Sequence, residues 1–134
     1  MLVSPHGSVS LKPLLLPSSE SKEAVKRASG SVRKIQMTSR ELSDLLMLGM
    51  GAYTPLDGFM GYDDWRGVCE EMTLSTGVFW PIPITLSVNE VIANNIKIGD
   101  DVALTDDTDR AYGQLTVQEI YQIDKAIECN AVFG

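Results

Sequence analysis

The sequence predicts a small mixed α+β fold, a compact β-barrel with short helices inserted early. From Thr76 onward the chain breaks into short β-branched and aromatic segments separated by tight turns, while two helical patterns are inserted early, within residues 39–72. No alternation of strand and helix builds βαβ units, which argues against a parallel doubly wound sheet. At 134 residues and 44% hydrophobic content, one domain spanning 1–134 can bury a sizeable core without a staple.

The first thirty or so residues read as an extended arm and surface segment. "LKPLLLP" holds two prolines and lies extended, and "SSESKEAVKRASGS" is polar up to Gly30. "VRKIQMT" alternates at Ile35 and Met37 as a short strand does. "TSRE" is a capping box, pairing the Thr38 hydroxyl with the Glu41 amide and the Glu41 carboxylate with the Thr38 amide. The helix it starts places Leu42, Leu45 and Leu46 on one face over residues 39–48, and the Gly49/Gly51 pair ends it. After Gly61 a second helix follows, capped by Asp63 or Asp64, with Trp65, Val68, Cys69 and Met72 on its apolar side.

"GVFWPIPITLSV" has β texture, but Pro81 and Pro83 remove donors from one edge, so that edge must stay free or be capped otherwise. Gly99-Asp100 turn the chain into a strand through Val102 and Leu104. "DDTDR" is a polar turn into "AYGQLTVQEIYQI", where the alternation slips phase near Ile120 as a β-bulge would allow. "DKAIECNAVFG" resembles the first turns of a helix and stops abruptly at Gly134, as a detached or truncated domain would.

Charge restricts function. Residues 1–36 carry a net +4 and the rest −11, for a total of −7, so nucleic-acid binding is disfavoured outside the N-terminal arm. No segment is long and apolar enough to suggest a membrane span or a signal peptide, and the expected location is the cytoplasm. Cys69 and Cys129 are expected to be reduced, buried thiols. One histidine, His6, leaves neither a zinc set nor a base for a nucleophile, and no phosphate-binding glycine fingerprint is present. The acidic groups at Asp100-Asp101 and Asp106-Asp107-Asp109 read as solvated turns, lacking the ligand spacing of a calcium loop. Arg40, Arg66 and Arg110 are the cations left over for an anion receptor.

The densest stretch is "GAYTPLDGFMG". Pro55 presets a turn, Gly58 permits unusual backbone angles, and Tyr53, Leu56, Phe59 and Met60 add apolar surface beside Asp57. Tyr53, Pro55, Leu56, Asp57, Gly58, Phe59 and Met60 therefore form a candidate joint, a place where the fold packs on another element or domain, rather than a proton-transfer site.

Taken together, "SPHG" at 4–7, "GAYTPLDGFMG" at 51–61, "FWPIPITL" at 79–86, "IGDDVALTD" at 98–106 and "IYQIDKAIECNAVFG" at 120–134 resemble the N-terminal, PUA-like domain of the ATP sulfurylase (sulfate adenylyltransferase) family. The resemblance implies an α+β, PUA-like small mixed β-barrel. It further implies a complete enzyme that makes adenosine 5′-phosphosulfate and pyrophosphate from ATP and sulfate, or the reverse, with Mg²⁺ accompanying ATP. The family places its Gln-x-Arg-Asn and His-x-x-His motifs in a second, catalytic domain, and neither motif occurs in these 134 residues. The implied role is a supporting domain, inactive alone, with no catalytic, metal or cofactor residue of its own. Its implied partner is the catalytic domain, and the complete enzyme could be a homo-oligomer. The alternative is a stand-alone PUA-like module binding RNA or a protein, which should present a basic face.

Overall fold

A computed structural model describes residues 6–8, 10–15, 20, 23 and 33–123. The expected C-terminal helix after Asp124 and the expected structure of most of the segment before Arg33 lie outside these residues. The chain divides into two compact units, one made of 1–58 and 87–118 and the other of 59–86 and 119–134.

The first unit is built on a three-stranded sheet in the order β1-β2-β3, with β1 Lys34–Gln36, β2 Asp101–Thr105 and β3 Ala111–Thr116. β1 runs parallel to β2, pairing Ile35 with Leu104, and β3 runs antiparallel to β2, pairing Val102 with Leu115. The sheet is open, so the closed barrel expected from the sequence is not found among the described residues. Ile35, Met37, Val102, Ala103 and Leu104 are at most 5% exposed, which makes the central strand the heart of this unit's core. No bulge occurs near Ile120, where one was expected; the sheet's register shift lies between Leu104 and Thr105, opposite the start of β3. The apparent phase slip near Ile120 arises because β3 has already ended at Thr116.

Helix α1, Ser39–Met50, starts at the predicted capping box and ends at Gly51. Gly51 has φ of 79°, and the amides of Gly51 and Ala52 return to the carbonyls of Leu48 and Met47, the paired bonds of a Schellman motif. Gly49 is helical, so Gly51 alone breaks the helix. Helix α3, Glu90–Asn95, was not foreseen; Asn89 caps it by accepting from the Ile92 amide at 2.9 Å. Gly99 makes the expected turn, at φ of 95°.

The second unit is built on α2, Tyr62–Glu71, whose Trp65, Val68 and Cys69 are at most 4% exposed. Two expectations fail here. The N-cap is Gly61, which has no side chain to offer; Asp63 and Asp64 lie in the first turn, while the Glu119 carboxylate accepts from the Tyr62 amide at 2.5 Å. Met72, expected in the apolar face, is 48% exposed because it takes the left-handed cap position at φ of 54°, which turns its side chain off the helical face.

Residues 79–86 form no strand, correcting the β reading of "FWPIPITL"; one isolated bridge joins Thr73 and Phe79. The two prolines leave too few donors for a ladder. Ile84 still serves the core at 4% exposure, its carbonyl accepting from the Met60 amide at 2.8 Å.

Candidate functional site

The turn from Gly51 to Gly61 runs across the boundary between the units, and each part of it is held within its own unit. In the first unit the Thr54 hydroxyl donates to the Gly51 carbonyl at 2.7 Å and accepts from the Lys12 amide at 2.9 Å, which pins the arm onto the end of α1. The Leu56 amide closes a turn onto the Tyr53 carbonyl at 2.8 Å, across a cis Thr54–Pro55 bond. Leu56 itself is 6% exposed. Asp57 is exposed and faces Lys12 at 3.8 Å, a solvated pair.

Gly58 does not fit its expected role. Its φ is not positive, and a Cβ there would meet nothing within 4 Å. The left-handed residue of this stretch is Gly51, where a Cβ would come within 3.1 Å of the Pro13 nitrogen.

The chain passes from the first unit to the second between Gly58 and Phe59. Beyond that point Met60 is 5% exposed, and its carbonyl accepts the Tyr121 hydroxyl at 2.6 Å. Tyr121 also belongs to a ring cluster with Tyr62 and Trp65, with centroids 5.7 to 6.3 Å apart, a spacing suited to edge and tilted contacts. The structure therefore uses Leu56 and Met60 as core anchors, each within its own unit.

Two of the described groups show what the charged side chains do. Tyr53 donates to Asp44 at 3.2 Å, and its phenol is held above its usual range by burial first and then by the Asp44 charge. It stays a neutral donor at ordinary pH. The Asp106 turn is likewise structural, since one carboxylate oxygen accepts from the Thr108 hydroxyl at 2.7 Å, the Thr108 amide at 2.9 Å and the Arg110 amide at 3.0 Å. Those bonds, the Thr108 hydroxyl foremost, hold its carboxyl below the ordinary range. No group of three or more metal-ligating side chains occurs among the described residues.

The three arginines considered for an anion receptor are placed separately. Arg66 of α2 pairs with Glu70 at 2.8 Å and accompanies the Tyr62 hydroxyl, Arg110 lies over the Tyr112 ring at 5.2 Å, and Arg40 is exposed in the first turn of α1. A cavity of about 150 Å³ beside Arg33, Lys34, Ile92, Asn95 and Ile96 is small for an organic ligand. Its two cations face Asp100 at 3.5 Å and Asp109 at 3.0 Å.

One polar residue was underestimated from sequence. Glu41 is 1% exposed, and besides capping α1 its other oxygen accepts from the Ser87 amide at 2.6 Å and the Ser87 hydroxyl at 3.0 Å. Burial raises its carboxyl pKa, but these donors outweigh burial and hold it below the usual 4.5. The capping box announced the first half of this latch, whereas the partner 46 residues away left no local signal.

A family model of a PUA-like domain matches residues 3–134. The chain is 52% identical over 134 residues to a protein of Syntrophobacter fumaroxidans named sulfate adenylyltransferase, and 51% identical over 136 residues to one of Psychrobacter sp. with the same name. Each match covers 98% of this chain but 32% of the relative, so the chain spans about a third of the length of the relatives it matches. Among solved structures it is similar to one titled hexameric APS kinase from Thiobacillus denitrificans, at a TM-score of 0.77 and 31% identity, over 92% of this chain and 24% of that one.

Proposed function

The chain belongs to the PUA-like domain family, and from that premise we propose that it is the N-terminal supporting domain of a sulfate adenylyltransferase. The observation that carries this reading is 52% identity to a sulfate adenylyltransferase across 98% of the chain but only 32% of that relative. One family model over residues 3–134 supports treating the two compact units as a single domain in evolution.

The reaction of the complete enzyme joins a sulfate oxygen to the α-phosphorus of ATP and breaks the bond to pyrophosphate, which leaves with the electron pair. Such a transfer needs positioned anions and neutralised charge more than a covalent nucleophile. The described residues of this chain offer neither. Its arginines are dispersed, its buried phenol is a donor, and its carboxylates close turns and caps. In this reading Mg²⁺ accompanies ATP in the complete enzyme.

In this role the chain's residues build a scaffold. The segment Tyr53 to Met60 serves as the joint, with Leu56 and Met60 anchoring each side of the passage from one unit to the other. The catalytic domain is the partner, and the hexameric title of the similar structure favours an oligomeric complete enzyme. No helix among the described residues is long and apolar enough to cross a membrane, and a cytoplasmic setting is part of the proposal.

The test is pyrophosphate release from ATP and sulfate. The purified 134-residue chain should release none. A chimera joining it to the remaining two thirds of the Syntrophobacter relative should be active. Sulfate-dependent release by the chain alone, or a folded but inactive chimera, would overturn the reading.

A further inference from the structure

Ile35, Val102 and Leu104 of the first unit are buried in its sheet, yet six large apolar side chains of the arm and the end of α1 are exposed. Leu11, Leu14 and Leu15 are 60%, 45% and 67% exposed, and Leu46, Met47 and Met50 are 48%, 37% and 55% exposed. The two groups are fastened together. The Leu14 amide donates to the Gly49 carbonyl at 2.9 Å, and the Leu15 side chain lies 3.2 Å from where a Gly49 Cβ would be. Pro13 passes equally close to Gly51, and the Lys12 amide is held by Thr54. Leu46 and Met50 are one helical turn apart, so they share a face.

Scattered apolar side chains on a surface are ordinary, but six exposed ones on two segments tied backbone to backbone point to an interaction surface. Of the residues expected to form the joint, Leu56 and Met60 are 6% and 5% exposed and have no surface left to offer, while Tyr53 and Phe59 are half-buried. The close fit at Gly49 and Gly51 holds the arm in place without covering its leucines.

We propose that this face, Leu11, Leu14 and Leu15 with Leu46, Met47 and Met50, is where the domain docks on the rest of a sulfate adenylyltransferase chain. The proposal rests on the functional reading above and adds the surface. Two observations choose the occupant. Relatives continue for roughly twice the length this chain covers, supplying a tethered polypeptide large enough to cover such a face. A second copy of this chain would bring its own net charge of −7 against the same charge, which opposes self-association. A tethered partner needs only a modest apolar contact, because the link raises its effective concentration.

The test compares the isolated chain with the chimera described above, by amide hydrogen exchange. Residues 11–15 and 44–51 should gain protection in the chimera. The triple variant Leu15→Gln, Leu46→Gln, Met50→Gln should lose that gain while leaving the urea midpoint of the isolated chain unchanged. Absence of any gain in a chimera that releases pyrophosphate would overturn the docking proposal and leave the functional reading standing. A gain in protection without pyrophosphate release would uphold docking and sink the functional reading. An isolated chain that is a dimer, and becomes monomeric on the triple substitution, would overturn the proposal in favour of a second copy.

Discussion

Glu41→Gln tests the Glu41 latch with almost no change in shape. The native carboxylate accepts three protein hydrogen bonds: the cap bond from the Thr38 amide at 2.9 Å on one oxygen, and those of the Ser87 amide and hydroxyl, at 2.6 and 3.0 Å, on the other. Glutamine can keep the Thr38 bond through its carbonyl oxygen. Its amide nitrogen would then face the Ser87 N–H, donor against donor, while the Ser87 hydroxyl can rotate to accept. One charge-assisted bond is lost outright and another is weakened. Hydrogen bonds to charged groups contribute about 1.5–3 kcal/mol each, and because Ser87 is exposed enough to regain water, the lower part applies, giving a cost of about 2 kcal/mol. Urea unfolding at pH 7 should show the midpoint falling by roughly 1 M with an unchanged slope. The sign of the pH effect follows from the depressed carboxyl. Its stabilisation is present above 4.5 and is lost as pH falls through the lower folded value. The gap between native and variant chains should therefore narrow as pH falls below about 5. A cost under about 0.5 kcal/mol at pH 7, or a gap that does not depend on pH, would refute the reasoning.

Three further outcomes follow from single positions. Gly67→Ala should destabilise by about 1–3 kcal/mol despite alanine's better helix propensity, because its Cβ would sit 2.5 Å from the Thr73 carbonyl oxygen; a rise in the thermal midpoint would contradict this. Met72→Gly should stabilise by about 1 kcal/mol, since it relieves a left-handed backbone at an exposed side chain, and chemical denaturation should register a higher midpoint. Leu56→Ala should cost about 2–5 kcal/mol in the isolated chain, where a loss confined to the activity of the chimera would show that Leu56 serves a site rather than a core.

What could be read in advance was what neighbours in sequence determine. The Thr38 and Glu41 capping box, the strand at Ile35, the Gly99 turn and the buried face of Trp65, Val68 and Cys69 all depend on contacts within one turn or on periodicity, and all are present. The misses come from contacts made at a distance or from elements too short for a period to register. Glu119 serves the start of α2 from 57 residues away, and α3 has six residues. The β texture of residues 79–86 was real in composition, but two missing donors decided against a ladder. The site followed the same pattern. The turn at 51–61 was recognisable from Pro and Gly, whereas the roles inside it, Gly51 rather than Gly58 as the left-handed residue and Leu56 as core, depended on how the arm and the turn met.

The division of the chain at Gly58 and again at Gln118 has a consequence in time. The second unit is encoded in two pieces, and the Tyr121 hydroxyl that satisfies the Met60 carbonyl comes 61 residues later. At synthesis rates of about 5–20 residues per second, that interval is roughly 3–12 s. The residues of the first unit, by contrast, have all been made by Gln118. Trp65 and the apolar face of α2 thus wait on the ribosome for nearly the whole interval in which β2 and β3 of the first unit are also still being made, and during that wait they are the surface a chaperone would find.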